Sequence, residues 1–182
     1  MLEYIEKIWL NSLASINRLT ISDIYSFSFY VNNEDDDPRH PLLTIGYNTE
    51  VKFETELRNA SDELDVRWNY AYWLQNEIAV MGNSDDKEGR LIISNWISNL
   101  GLDYSDKEIE EDYDLCLEKG QQIEDEFIKM LIALVKRTHR NKVTSLPILI
   151  HGLEYDEKVR DQNILANGEV RVRGFTNWIN KM

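Results

Sequence analysis

The chain has 182 residues and a mass of 21.5 kDa, with 20 basic and 33 acidic side chains and a formal net charge of −13. A hydrophobic content of 42%, including 5 Trp, 9 Tyr and 5 Phe, excludes a disordered chain and suffices for one α+β domain over residues 1–182 without a metal or disulfide. So negative a chain repels phosphate backbones and anionic membrane surfaces, which disfavours nucleic-acid and membrane partners. A basic protein partner would be attracted, and plain solubility explains the same charge.

Leu2, Ile5, Ile8, Trp9, Leu13 and Ile16 recur at three- and four-residue steps, which predicts an amphipathic helix over 2–18. In Ile24 to Val31 the aromatic residues alternate with smaller partners, as in a half-buried strand. A polar turn, Asn32 to Pro41, with acids at Glu34 to Asp37, leads to a second strand over Leu42 to Tyr47, so the two pair as a hairpin with an acidic loop. Val51 to Asn59 admits helix or strand. The even spacing of Trp68, Tyr70 and Tyr72 predicts a strand at the start of Arg67 to Leu74.

Asp85 and Glu88 have capping-box spacing before a helix over Leu91 to Leu100, which Gly101 ends. Ser105 and Glu108 repeat that spacing. Ile109, Tyr113, Cys116, Gly120, Ile123, Phe127, Met130 and Leu134 then form one apolar stripe, predicting a long helix over about 105–139. Gly120 on the stripe marks a kink, a break or a close crossing. After Pro147, Ile148 to Ile150 predicts a buried strand. Asn167-Gly168 is a hairpin-turn signal, and Phe175 to Ile179 closes as a short helix. The expected architecture is a mainly antiparallel sheet packed on the long helix and two shorter ones.

One cysteine excludes an intrachain disulfide. Met1 to Lys7 carries acids where a secretory signal begins basic. The longest strongly apolar run, Met130 to Val135, is far short of the roughly 20 residues of a membrane helix. These features point to the cytoplasm.

Nucleotide loops, the GxSxG elbow and HExxH are absent, and no cofactor or metal is expected. Cys116 lies on the apolar stripe, as a core thiol does. His40, His139 and His151 are far apart in the chain. The carboxylate pairs Asp35/Asp37 and Asp112/Asp114 resemble cation ligands, but i and i+2 side chains diverge on a helix.

Between Asp106 and Glu126 ten acids and two bases supply −8 of the net charge. Bases follow at Lys136, Arg137, Arg140 and Lys142, an order that complements the helix macrodipole. An exposed acidic half containing Glu110, Glu111 and Asp114 would also attract a basic partner. Arg67, Trp68 and Trp73 are of the types that anchor protein interfaces. Glu50, Arg67 and His151, at predicted strand ends, are candidates for an assembled pocket.

The aromatic strand Tyr25 to Tyr30, Gly46-Tyr-Asn-Thr-Glu50, Arg67-Trp68 with Trp73, and Pro147-Ile-Leu-Ile-His151 together resemble the bacterial domain-of-unknown-function 4303 family. The resemblance covers much of the chain. It implies an α+β fold and, since that family has no established activity, no catalytic residues. By analogy of type, small acidic proteins of this look include immunity proteins that silence a toxin. The expectation is therefore a protein-binding protein for a basic toxin domain. The alternatives are an enzyme with a strand-end site and a nucleic-acid mimic. Oligomeric state is left open.

Overall fold

The aromatic alternation after Asp23 produces the longest strand. In the computed structural model, which describes all of residues 1–182, β1 (Ile24–Asn33) pairs antiparallel with β2 (Pro41–Thr49). β3 (Ala79–Met81) adds antiparallel to β2, and β4 (Ile148–His151) adds parallel to β1, in the order β3-β2-β1-β4. The expected hairpin and its acidic loop are present. The fold is α+β: one mostly antiparallel sheet against which a long helix packs.

Nine α-helices surround the sheet, eight of them shorter than the long one rather than two: α1 (Leu2–Ser15), α2 (Arg18–Asp23), α3 (Glu50–Leu57), α4 (Glu63–Trp68), α5 (Lys87–Asn99), α6 (Asp106–Glu111), α7 (Tyr113–Arg140), α8 (Glu157–Asn167) and α9 (Glu169–Ile179). On one face of the sheet, Phe27 and Phe29 of β1 meet Trp9 of α1 edge-on at 5.0 and 5.3 Å. Phe127, Leu131 and Leu134 of α7 complete that core. On the other face Tyr25, Phe53, Trp68, Trp73, Phe175 and Trp178 form a second, largely aromatic core. A bulge between Ile24 and Ser26 makes this division. It turns Ile24 toward the first core and Tyr25 toward the second, against the alternation that Phe27 and Phe29 obey.

Several expectations are corrected. The helix predicted over 105–139 opens at the Ser105/Glu108 capping box but breaks at Asp112, whose φ of −149° leaves the helical region. Asp112 then caps α7 through Leu115 N–H. Gly120 interrupts nothing. It lies against the acidic loop, where an added Cβ would stand 3.1 Å from Pro38 Cγ.

Arg67 to Leu74 is not a strand. Asp62 accepts from the N–H groups of Leu64 and Asp65 and starts α4, and Asn69 then starts a 3-10 turn over Tyr70–Tyr72. Asn167-Gly168 joins two helices rather than two strands; Gly168, at φ 80°, supplies the positive φ that ends α8. Val51 to Asn59 is resolved as helix α3. The cap of α5 is Asp86, one residue past the predicted Asp85, and it accepts from Gly89 N–H at 2.9 Å.

Candidate functional site

The segment between α3 and β3 folds back over the face of the sheet that carries the second core. Its turn is fixed by the Arg67 carbonyl, which accepts from the Tyr25 hydroxyl at 2.6 Å and the Trp73 indole N–H at 3.0 Å. Asn48 donates to the same Tyr25 oxygen at 2.9 Å. Burial pushes the Tyr25 phenol well above its ordinary pKa. The Arg67 side chain runs outward. Its guanidinium stacks 4.2 Å from the Tyr25 ring centre and 4.7 Å from that of Phe53, and it grips Glu50 with two hydrogen bonds of 2.9 and 2.7 Å.

Of the three residues expected to form a strand-end pocket, the fold brings Glu50 and Arg67 together and places His151 apart from them. Glu50 pairs with Arg67 at the start of α3. His151 lies at the end of β4, only 2% exposed. Its Nδ1 sits 3.0 Å from the Gly152 carbonyl, which can only accept, so Nδ1 carries the proton. The opposite nitrogen, Nε2, accepts from the buried Ser28 hydroxyl at 2.8 Å.

Rings of Tyr70, Tyr30, Tyr155 and Trp73 surround the imidazole at 4.9, 5.7, 5.9 and 6.3 Å. Burial lowers the His151 pKa to about 4, so the ring is neutral at pH 7. A hydroxyl on a neutral imidazole is the first half of a nucleophile and base. Here both groups are sealed beneath aromatic rings, and they satisfy each other's hydrogen bonds. The cleft that His151 borders does not reach Glu50.

Trp68 and Trp73 are 8% and 3% exposed and belong to the second core. Neither is available to anchor a partner, which corrects that expectation. The aromatic spacing arose from core packing around a helix end and a 3-10 turn. Cys116 is buried, as its place on the apolar stripe implied.

Two connected hollows open beside His151. One, of about 520 Å³, lies over Tyr30 and Thr44 and is walled by Tyr70, Glu77 and Tyr155. The Tyr30 and Tyr70 rings are stacked, 5.2 Å apart and 8° from parallel. The second, of about 640 Å³, shares Tyr30, Asn32, Gly152 and Leu153 with the first and is bordered by Asp36, Glu124, Asp125, Glu154 and Asp156. Its one basic side chain, Lys158, is 2.8 Å from Asp125. The sequence reading missed this place. The polar partners Ser26, Ser28, Tyr30 and Asn32 in the alternation of β1 were the available signal; nothing local marked Tyr155.

Glu110, Glu111 and Asp114 are all exposed on α6 and the start of α7. Glu111 lies 3.3 Å from Lys107, whereas Glu110, Asp114 and Glu118 meet no cation. Asp35 and Asp36 of the β1–β2 loop line a hollow with Ile109 of α6 and Tyr113 and Leu117 of α7, and Asp36 also borders the acidic hollow. No three His, Cys, Asp or Glu side chains converge as metal ligands. No helix is long and apolar enough to cross a membrane. No family model, curated protein or solved structure matches the chain.

Proposed function

We propose that this is a binding protein for a basic protein partner, of the toxin-neutralising immunity type. The observation that carries the reading is the uncompensated acid on α6 and the first turns of α7. The charges of Glu110, Asp114 and Glu118 are exposed and unpaired. A like-charged surface of this kind raises the local concentration of a cationic partner and speeds its encounter. Arg67 contributes by holding Glu50 and the second core in place, since its guanidinium is already engaged within the protein.

The test begins with capture of partners on the tagged protein at low and high salt. Association of the purified partner is then timed by stopped flow. Changing Glu110, Glu111 and Asp114 together to Lys is expected to slow association at low salt by about tenfold and to flatten its salt dependence. An unchanged rate and salt slope would remove the helix face from the interface. For the immunity assignment, the partner must also carry a toxic activity that the wild-type chain suppresses in a coexpression assay.

A further inference from the structure

We propose that the hollow over Tyr30 and Tyr70 receives the guanidinium of an arginine side chain carried by the basic partner. The source of that arginine rests on the reading above; the chemistry of the hollow does not. None of its lining residues is Lys, Arg or His. Its one carboxylate, Glu77, is exposed and has no cationic partner, and the hollow next to it adds five more acids. Phosphates and carboxylates are repelled from such a place.

The remaining polar groups are hydrogen-bond acceptors or can act as such. The Asn32 amide, the Thr44 hydroxyl and the Glu77 carboxylate are not engaged by other protein groups. Leu42, Val80 and Leu153 offer an apolar wall for the aliphatic stem. A guanidinium is planar, stacks on aromatic rings and donates in several directions at once, which a compact ammonium does not. The chain uses this pairing elsewhere: Arg67 stacks on Tyr25, and Arg39 lies 5.1 Å from the ring centre of Tyr104. At Tyr30 and Tyr70 the rings and the acid are present and the cation is to be brought by another molecule. The volume, about 520 Å³, is more than a guanidinium fills and leaves room for the stem and main chain that carry it.

The probes are the acetyl-arginine amide and its neutral isostere, the acetyl-citrulline amide, titrated into isotopically labelled protein and followed by amide chemical shifts. Saturable shifts are expected at Thr44, Val80 and Gly152 with the arginine probe, and about tenfold weaker binding with citrulline. Glu77→Gln should weaken the arginine probe several-fold, while the Glu110, Glu111 and Asp114 reversal leaves it unchanged. Equal affinity for the two probes, or shifts scattered over the acidic surface, would overturn the proposal.

The source of the arginine is read separately. Glu77→Lys should accelerate dissociation of the purified partner. If the arginine probe binds but partner dissociation does not change, the partner is not the source and the proposal fails in favour of a free guanidino compound. If the probe does not bind while the helix reversal still slows the partner, the hollow is eliminated and the acidic docking face stands.

Discussion

Asn163 hydrogen-bonds the outer backbone edge of Ile150 as a neighbouring strand would: its Oδ1 accepts from Ile150 N–H at 2.9 Å and its Nδ2 donates to Ile150 C=O at 2.7 Å. One helical turn later, Asn167 repeats this with Ile148 at 2.8 and 2.9 Å. Four residues of helix rise about 6 Å, and two residues of strand about 6.6 Å, so two side-chain amides on α8 match alternate residues of β4. His139 Nε2 at 3.0 Å buttresses the Asn167 oxygen. β4 is the sheet's outer parallel strand, and its edge is closed without a fifth strand.

Asn167→Leu leaves the buried N–H and C=O of Ile148 unpartnered, and Asn163→Leu leaves the Ile150 N–H unpartnered while its carbonyl still accepts from Gln162. Asn163→Leu and Asn167→Leu should each cost about 2–4 kcal/mol in urea unfolding. A loss below about 0.5 kcal/mol would show that water takes the place of the amide.

Stability should fall with acid through His151. Its ordinary pKa is near 6.5 and the folded value is about 4. The folded state binds the proton less readily than the unfolded chain, so the contribution is complete above pH 6.5 and disappears as the pH falls towards 4. It is on the order of 3 kcal/mol. The paired carboxylates Asp37 and Asp125 are held below their ordinary values by hydrogen bonds from Arg39 and Lys158, so their contribution is lost at still lower pH. Unfolding free energy measured from pH 7 to 4 should lose this slope in His151→Gln, whose amide oxygen can still accept from Ser28. A slope unchanged by the substitution would assign the acid sensitivity to other groups.

The Glu50–Arg67 pair should be asymmetric. The Glu50 side chain is 45% exposed and that of Arg67 26%. Glu50→Gln should cost less than about 1 kcal/mol, as for an exposed ion pair. Arg67→Ala also removes the stem and guanidinium packed on Tyr25 and Phe53 and should cost about 1–3 kcal/mol. Equal losses in chemical unfolding would mean that the ion pair, rather than the stacking, holds the segment.

Gly174 sets a limit on the second core. A Cβ there would lie 2.6 Å from Trp68 Cζ2 and 3.0 Å from Cε2. The indole is buried and rigid and cannot swing aside, so Gly174→Ala should destabilise by about 1–3 kcal/mol despite improved helix propensity. Gly101→Ala tests the contrast: no neighbour lies within 4 Å, and only its φ of 71° opposes the change. A stabilised Gly174→Ala protein would require Trp68 to repack, visible as a shift in its fluorescence.

Local rules carried much of the fold into the sequence. Alternation located β1, the stripe from Cys116 to Leu134 located α7, and the Ser105/Glu108 box was read to the residue. Failures came where one local signal serves two structures. Asn-Gly provides a positive φ to a helix end as readily as to a hairpin, and only the asparagine contacts of α8 with β4 decide between them. Even aromatic spacing around Trp68, Tyr70 and Tyr72 imitated a strand, while the short caps at Asp62 and Asn69 took precedence. The acidic face was legible because charge on a helix needs no partner in the chain. The hollow at Tyr30 was not, because Tyr70, Glu77 and Tyr155 reach it from segments joined only by tertiary structure.

The bulge before Ser26 makes the reading frame of β1 a mechanical element. On both sides of it the strand faces the first core, through Ile24 upstream and Phe27 and Phe29 downstream, and Tyr25 alone turns to the second, so a one-residue deletion at Tyr25 would not merely shorten the strand. It would remove the bulge, withdraw the hydroxyl that fixes the Arg67 carbonyl, and loosen the 62–76 segment on the sheet. The two aromatic layers are thus geared through a single peptide unit. Length changes should be tolerated in the Glu34 to Asp37 loop and rejected at this joint.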